Sequence, residues 1–382
     1  MPVSVQSIDK LLKIKYSNDV ANGTNTNVGP WHEQIKNNGL TAGGKYYLQP
    51  IQLGMNGGVG FSDETTLPIA GTPMLEEFKV DTKNVFGVFG ITLKSLKVND
   101  TPEKIVNLLN REMTSLVEAI RWNLSRSLEM DSTGVLTTVK VAANATNVVT
   151  VNSTQYLMPG ITVSFYNDGV IVDSARIKNV DRATGKLTLT KAVTISDGAL
   201  VTIYNSYNKE LTGLNDIFKK TGKIYNLSRN DYSGLIPYIK AEAGAINDML
   251  ILDAINACED NMPVKIDFIR ASNDVVSAYI AHKQMQGLNV ASLDIKGGYK
   301  TISFNGTIPI VKSKFAPEGT LDVLDSTTFQ MYNLGKGEFD DTTGGILRPA
   351  ADASFTGIYA LFTEQYCRCP GGQGRITGIT AA

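Results

Sequence analysis

Histidine, cysteine and long apolar runs are scarce in this 382-residue sequence, and each scarcity excludes a class of function. With only two histidines, His32 and His282, a histidine-based catalytic triad or zinc site has almost no side chains to draw on. The three cysteines are an odd number, which favours a reducing compartment over a disulfide-stapled secreted protein. The sequence therefore offers little for catalysis or metal binding.

No apolar run approaches the roughly 18 residues that a membrane-spanning helix needs. The best candidate, residues 85–93, contains Gly87 and Gly90 and is flanked by Lys83 and Lys94. Lysines are scattered through residues 1–15, which lack the apolar segment of a signal peptide. We therefore expect residence in a cytoplasm and no membrane partner.

Charge is also low and balanced. Charged residues make up 19% of the chain, against about 25% in an average globular protein. The 36 Lys and Arg residues and 37 Asp and Glu residues leave a net charge of −1. Because binding through phosphates requires many cationic contacts, we expect any nucleic acid to be enclosed by this protein and contacted non-specifically.

The first part of the chain divides into segments of different pattern. Residues 1–44 are rich in Asn, Gly and Ser, which predicts an extended arm with one short helix near residues 8–14. In residues 45–96, two alternating stretches flank a glycine-dense run, which predicts a long β-hairpin with a flexible tip. The β-branched runs of residues 135–206, several of them separated by Asp-Gly and Thr-Gly turns, predict a small antiparallel barrel or sandwich.

Residues 97–134 carry the strongest helix signal. Asp100 and Glu103 form a capping box, and Pro102 suits the first turn. Apolar residues recur on one face at steps of three and four, namely Ile105, Leu109, Met113, Leu116, Ile120, Leu124 and Leu128. We expect these residues to form a packing face, and carboxylates on the polar face, such as Glu129, to be solvated or salt-bridged rather than catalytic.

Helices and strands mix in the rest of the chain. In residues 207–350 the patterns predict helices at 237–258 and 274–285 and strands at 264–269, 308–314 and 321–324, giving an α+β domain. Residues 351–382 predict an aromatic-rich strand at 355–369 followed by a glycine-rich tail. The fold class predicted for the whole chain is α+β.

This order of segments resembles the major capsid protein of tailed bacteriophages, with its Hong Kong 97-type fold. The resemblance covers nearly the whole chain and is most specific at ASNDVV (271–276), IPIVKS (308–313) and DASFTGI (352–358). In the terms of that family, residues 45–96 would be the extended loop and 97–134 would hold the spine helix of the peripheral domain. Residues 207–350 would be the axial domain with parts of the peripheral domain, and 135–206 an inserted β-domain.

The resemblance implies a structural protein without catalytic, cofactor or metal sites. It would assemble with itself as pentamers and hexamers into an icosahedral or prolate phage head, or virion shell, around double-stranded DNA, in the cytoplasm of a host. Its further partners would be a scaffolding protein and a portal, with a decoration protein as another candidate. We expect assembly contacts at the extended-loop tip, at Gly54, Gly57, Gly58, Gly60, Phe61, Leu67 and Ile69.

Two other interpretations stay open. An encapsulin-like bacterial shell shares the fold and differs in its cargo. A β-rich phage tail or adhesion protein would account for residues 135–206, but such proteins usually trimerise through fibrous repeats, which this sequence lacks. In addition, no lysine occurs between Lys45 and Lys79, which disfavours covalent crosslinking by a lysine at the loop tip.

Overall fold

The computed structural model describes residues 29–35, 39–41, 44, 46–61, 66–98, 102–286, 292–295, 299–341, 346–349 and 353–380. Its longest helix, Pro102–Glu129, has 28 residues and is called the long helix below. The predicted face points inward: Leu109, Met113, Ile120, Leu124 and Leu128 are buried and Leu116 is half-buried. Asp100 and the side chain of Ile105 lie outside the described residues.

A six-stranded sheet packs on the long helix. Its central member, Ser354–Cys367, is called the long strand, and it pairs antiparallel with Lys83–Thr92, the edge strand. The other members are Gly39–Thr41, Phe329–Asn333, Glu338–Phe339 and Arg348–Pro349. Gly87 of the edge strand lets helix and sheet approach, because a Cβ there would stand 2.6 Å from Ile120 Cδ1.

The β-hairpin is shorter than the sequence pattern predicts. Tyr47–Gly54 pairs with Met74–Val80 to form what we call the hairpin arm, and after Thr82 the chain leaves it to form the edge strand. Residues Leu93–Val98 are helical rather than extended. An alternating pattern shows which face a strand buries but not its partner, so the change of partner at residues 81–82 has no sequence signal.

Residues 135–203 fold into a closed barrel, called the barrel below. Around the barrel the strands run Leu200–Ile203, Val135–Val141, Ala143–Val151, Lys186–Ile195, Val170–Asp181 and Thr162–Asn167. Its core is apolar and includes the fully buried Val149, Val163, Phe165 and Leu187. Closure leaves no unpaired strand edge.

A seven-stranded mixed sheet, called the axial sheet below, is separate from the six-stranded sheet and the barrel. Its order is Tyr238–Lys240, Gly374–Ile376, Leu321–Leu324, Phe268–Ala271, Ile308–Lys312, Tyr299–Phe304 and Ser292–Ile295. Helices Asp248–Asn261 and Asn273–Met285 contribute buried side chains to its core. The second helix confirms the prediction, with Ser272 as its N-cap.

The helix predicted over residues 237–258 starts later, at Asp248. The Asn247 side chain caps it by accepting a hydrogen bond from the Leu250 backbone N–H at 2.8 Å. Tyr238–Lys240 is instead a strand, parallel to Gly374–Ile376. Ile239 lies at helical spacing from Ile246 in the sequence by coincidence, and Asn247, a preferred N-cap residue, is the stronger boundary signal.

Two terminal segments are more deeply packed than predicted. Pro30–Ile35 is a helix rather than extended arm, and the Trp31 ring packs on Phe329 with centroids 4.7 Å apart. The predicted helix at residues 8–14 lies outside the described residues. The C-terminal glycine segment is no tail, because Gly374–Ile376 lies inside the axial sheet, and a Cβ on Gly371 would stand 2.4 Å from the carbonyl oxygen of Gly234.

Short elements complete the described chain. They are the helix Leu214–Ile217, the 3-10 turns Ser233–Leu235, Ser326–Thr328 and Pro370–Gly372, and the strand pairs Lys223–Ile224 with Leu227–Ser228 and Gly244–Ala245 with Ile379–Thr380.

Candidate assembly surfaces

The hairpin arm is fixed to the body at its base by aromatic side chains. Phe78 is fully buried, and its ring lies edge-on to that of Tyr225 with centroids 5.1 Å apart. Tyr47 stacks on Tyr332 at 5.5 Å. These contacts hold the base of the arm against the molecule and so set the direction in which the arm projects.

Beyond its base, the arm carries an exposed apolar surface. Phe61 is fully exposed, and Leu67 and Ile69 are 83% and 90% exposed. Met55 and Val59 are exposed to a similar degree, and Lys and Arg are absent from residues 46–78. We call Met55, Val59, Phe61, Leu67 and Ile69 the hairpin tip. A cluster of exposed apolar side chains of this kind is typical of an interaction surface.

The four glycines predicted at the tip have different surroundings. A Cβ on Gly54 would stand 3.0 Å from the Met74 Cβ, and one on Gly60 would lie in ordinary contact with the ring of Pro68. Gly57 has open space around it. Gly58 lies against Gly71, a residue that the sequence analysis did not single out.

A second apolar surface lies on the sheet, opposite the long helix. Along the edge strand, Gly87, Phe89 and Ile91 are buried toward the helix, whereas Phe86 and Val88 point outward and are 57% and 59% exposed. The rings of Phe86 and Phe362 meet edge to face at 6.0 Å. We call Phe86, Val88, Ile358, Ala360 and Phe362 the sheet face; the last three come from the long strand, where Ile358 pairs with Val88 and Ala360 with Phe86.

The sheet face is not among the surfaces predicted from the sequence. Its signal was present, because Phe86 and Val88 are apolar at positions where a strand with one solvated face would carry polar residues. A strand that is apolar on both faces needs cover on both, and within the described chain the long helix covers one.

A buried ion network joins the long helix to the axial sheet. Arg270 Nη1 donates to Glu129 Oε2 at 2.8 Å, and Arg270 Nε donates to Asp322 Oδ2 at 2.8 Å. Arg375 Nε donates to Asp322 Oδ1 at 2.6 Å. Glu129, Arg270 and Asp322 are each 1% exposed, so Glu129 is salt-bridged as expected but faces the interior rather than solvent.

The two carboxylates of the network respond differently to burial. Burial raises the pKa of Glu129 despite the neighbouring Arg270. Burial would also raise the pKa of Asp322, but Arg270 and Arg375 together hold it below its usual value. Two cations around Asp322 outweigh the loss of solvent, whereas Glu129 has one.

The described residues give no geometric support for a metal or thiol centre. No group of three or more His, Cys, Asp or Glu side chains among them is placed to hold a metal ion. Burial raises the pKa of Cys258 to about 12 and also raises that of Cys367, so both thiols stay protonated near neutral pH. Among the helices of the described chain, none is both long and apolar enough to cross a membrane.

Comparison with known proteins rests on structure. No protein-family model matches the chain, and no curated protein matches it in sequence. The capsid asymmetric unit of cyanophage A-1(L) matches with a TM-score of 0.54 and 11% identity, over 92% of this chain and 92% of that chain. The chain has the Hong Kong 97-type fold of tailed-phage capsid proteins. The match confirms the fold that the resemblance implied.

Two further solved structures match this Hong Kong 97-type chain with lower scores. The holo-SrpI encapsulin complex from Synechococcus elongatus matches with a TM-score of 0.49 and 9% identity, over 93% of this chain and 89% of that one. The capsid of an empty GTA particle matches with a TM-score of 0.49 and 9% identity, over 91% and 89%.

Proposed function

We propose that this chain is the major subunit of a phage-type capsid, assembling with its own copies as pentamers and hexamers into an icosahedral or prolate shell around double-stranded DNA. The observation that carries this proposal is the presence of two surfaces of exposed apolar side chains, the hairpin tip and the sheet face, on a chain with the fold of a capsid subunit. The role is structural, without a catalytic step.

The two surfaces are complementary in chemistry and are both exposed on the same protomer. They therefore do not cover each other within one chain. A contact in which the tip of one copy packs on the sheet face of the next is heterologous, and such contacts close into rings when the rotation between copies permits. We assign Phe61, Leu67 and Ile69 to this contact, on Phe86 and Val88 of the neighbour.

Charge and domain layout are compatible with a shell. A net charge of −1 lets many copies pack without strong mutual repulsion, and many weak contacts sum to a stable assembly. In this proposal residues 135–206 form an inserted domain and residues 207–350 mostly the axial domain. A scaffolding protein, a portal and a decoration protein are the further partners proposed.

The proposal is tested by electron microscopy and light scattering of the purified protein. We expect closed shells, or free pentamers and hexamers, and packaged DNA in particles from infected or induced cells. A chain that stays a monomer or trimer under every assembly condition would contradict a shell role. Particles that contain a co-purifying enzyme instead of DNA would favour an encapsulin-like shell.

The tip contact has its own test. A variant lacking residues 55–72 should fold but form no normal shells, because it lacks the hairpin tip. Val88→Ser should weaken assembly in the same way from the other side of the contact. As a control, Val170→Ser changes a residue of similar exposure, 66%, on the barrel, and should assemble normally. Normal shells from the deletion variant would refute the assigned contact.

A further inference from the structure

Two glycines touch where the chain enters and leaves the hairpin tip. A Cβ on Gly71 would stand 2.5 Å from the Gly58 backbone nitrogen and 2.8 Å from that of Gly57. A Cβ on Gly58 would stand 2.9 Å from the Gly71 backbone nitrogen. Such distances are too short for a side chain, so only glycine permits this approach of the two backbones.

The Asn56 side chain fills the remaining space between the two backbone segments that meet at Gly58 and Gly71. Its Oδ1 accepts a hydrogen bond from the Gly58 backbone N–H at 2.9 Å. The same oxygen lies 2.6 Å from the position of a Gly71 Cβ and 3.1 Å from that of a Gly58 Cβ. We call Asn56, Gly58 and Gly71 the neck. It lies beyond Gly54 and Met74, the last pair of the hairpin ladder.

We propose that the neck is a positioning device for assembly, which closes the hairpin tip before it meets a neighbour and presents its apolar side chains as a preformed surface. This inference rests on the proposed function. Val59 and Phe61 follow the neck, and Leu67 and Ile69 precede its return at Gly71. A loop that must be ordered on binding loses conformational entropy at that moment, whereas a tip closed in the free subunit has already lost it.

The closed tip packs on the sheet face of a second copy of the chain. The tip has no Lys or Arg that would direct it to an acidic partner or to phosphates. The sheet face supplies uncharged apolar side chains, including Phe86 and Val88, that are exposed on every copy. The neck glycines thus restrict the movement of the tip. A glycine-rich run in a sequence predicts the opposite, a flexible hinge.

The test compares Gly71→Ala with Gly57→Ala. Both replace glycine with alanine in the same part of the arm, but a Cβ on Gly57 has nothing within 4 Å. In unassembled subunits, Gly71→Ala should raise hydrogen exchange of the Gly58 amide, which donates to Asn56 Oδ1, about tenfold, by opening the neck locally. It should also raise the protein concentration needed for assembly, in proportion to the fall in the fraction of subunits whose neck is closed. Gly57→Ala should match the wild type in hydrogen exchange.

Two further variants separate this inference from the proposed function. The double substitution Phe61→Ser and Ile69→Ser leaves the neck intact and removes apolar surface, so normal assembly of this variant would refute the tip contact itself. If it blocks assembly while Gly71→Ala exchanges and assembles like the wild type, the contact stands and the neck role is wrong. Faster exchange in Gly71→Ala with unchanged assembly also contradicts the neck role.

Asn56→Ala provides a version of the test that adds no atoms. It removes the Oδ1 acceptor of the Gly58 N–H without introducing a clash, and should give the same direction of change in exchange and assembly. If Gly71→Ala fails to fold, this variant decides: wild-type exchange and assembly for Asn56→Ala would then overturn the proposal.

Discussion

Arg270 and Glu129 form a buried ion pair across 141 positions of sequence, with 2.8 Å between Arg270 Nη1 and Glu129 Oε2. Glu129 is the last residue of the long helix, and Arg270 lies in the axial sheet. With Asp322 and Arg375, the pair makes a network of two cations and two anions. The helix end and the sheet therefore hold each other in place through charged groups that are almost wholly buried.

Replacing Arg270 with methionine should destabilise the subunit strongly. The change leaves the carboxylates of Glu129 and Asp322 buried without their shared cation, at a cost of about 3–5 kcal/mol of unfolding free energy. Chemical denaturation of the unassembled subunit measures this loss. Lys191→Met removes an exposed pair with Asp173 and should change stability by less than about 1 kcal/mol. Equal effects of the two substitutions would contradict the role given to the network.

Glu364 should make stability fall as the pH rises. Burial raises its pKa from the usual 4.5 to about 8, although the backbone N–H groups of Thr212 and Gln365 and the charge of Lys83 act in the opposite direction. The unfolded chain releases the proton near pH 4.5 and the folded chain near pH 8. The stabilisation that protonated Glu364 gives the folded chain is therefore complete below about pH 4.5. It is lost between about pH 4.5 and 8 and stays absent at higher pH.

Glu364→Gln tests this pH dependence. Glutamine keeps an acceptor oxygen for the Thr212 N–H, 2.8 Å away in the wild type, but cannot ionise. Relative to wild type, the variant should gain a few kcal/mol of unfolding free energy between pH 4.5 and 8. Denaturant titrations at several pH values give this difference, and the exposed Glu338→Gln should show no such trend. A difference for Glu364→Gln that does not vary with pH would refute the assignment.

Phe315 should couple the barrel to the rest of the subunit. It belongs to the segment after the strand Ile308–Lys312, yet it is buried in the barrel core, with its ring 6.0 Å from Trp122 and 6.4 Å from Tyr156. Tyr156 Oη donates to the Phe315 carbonyl at 3.2 Å. Phe315→Ala should lower stability by about 3–5 kcal/mol and separate barrel unfolding from body unfolding. Calorimetry showing one unchanged transition would contradict this coupling; exposed Val170→Ala is the control.

Gly87 should be required for the fit between the edge strand and the long helix. A Cβ there would stand 2.6 Å from Ile120 Cδ1 and 3.2 Å from its Cγ1, so Gly87→Ala overpacks the contact and should destabilise by about 1–3 kcal/mol. Gly90→Ala is the matched control on the same strand, since its nearest neighbour would be 3.8 Å away. Adding Ile120→Ala to Gly87→Ala should recover part of the lost free energy of unfolding. If none is recovered, Ile120 is not the residue with which the new Cβ clashes.

Local patterns in the sequence were enough to predict the elements whose cause is local. The face of the long helix follows from apolar residues at steps of three and four, and the helix Asn273–Met285 begins directly after Ser272 at its N-cap position. The strand Leu321–Leu324 is found with the predicted bounds. In each case the determining side chains lie within a few residues of the element that they define.

The choice of pairing partner for each strand has no such local cause. The edge strand carries the same alternating pattern as the hairpin arm, so nothing in residues 74–92 shows that the second half pairs with the long strand instead. The strand Gly374–Ile376 looked like a tail because glycines favour loops, whereas Gly371 and Gly372 serve there to let backbone and side chains approach closely.

The sequence by itself determined the α+β class and the long helix, because periodicity and composition act over neighbouring residues. Only the tertiary structure decided the Glu129, Arg270 and Asp322 network, the pairing of the edge strand with the long strand and the contact of Gly58 with Gly71. Each of these depends on which distant segments come within a few ångströms of each other. That proximity is set by packing of the whole chain, to which many residues contribute small free energies, and not by a pattern in any one segment.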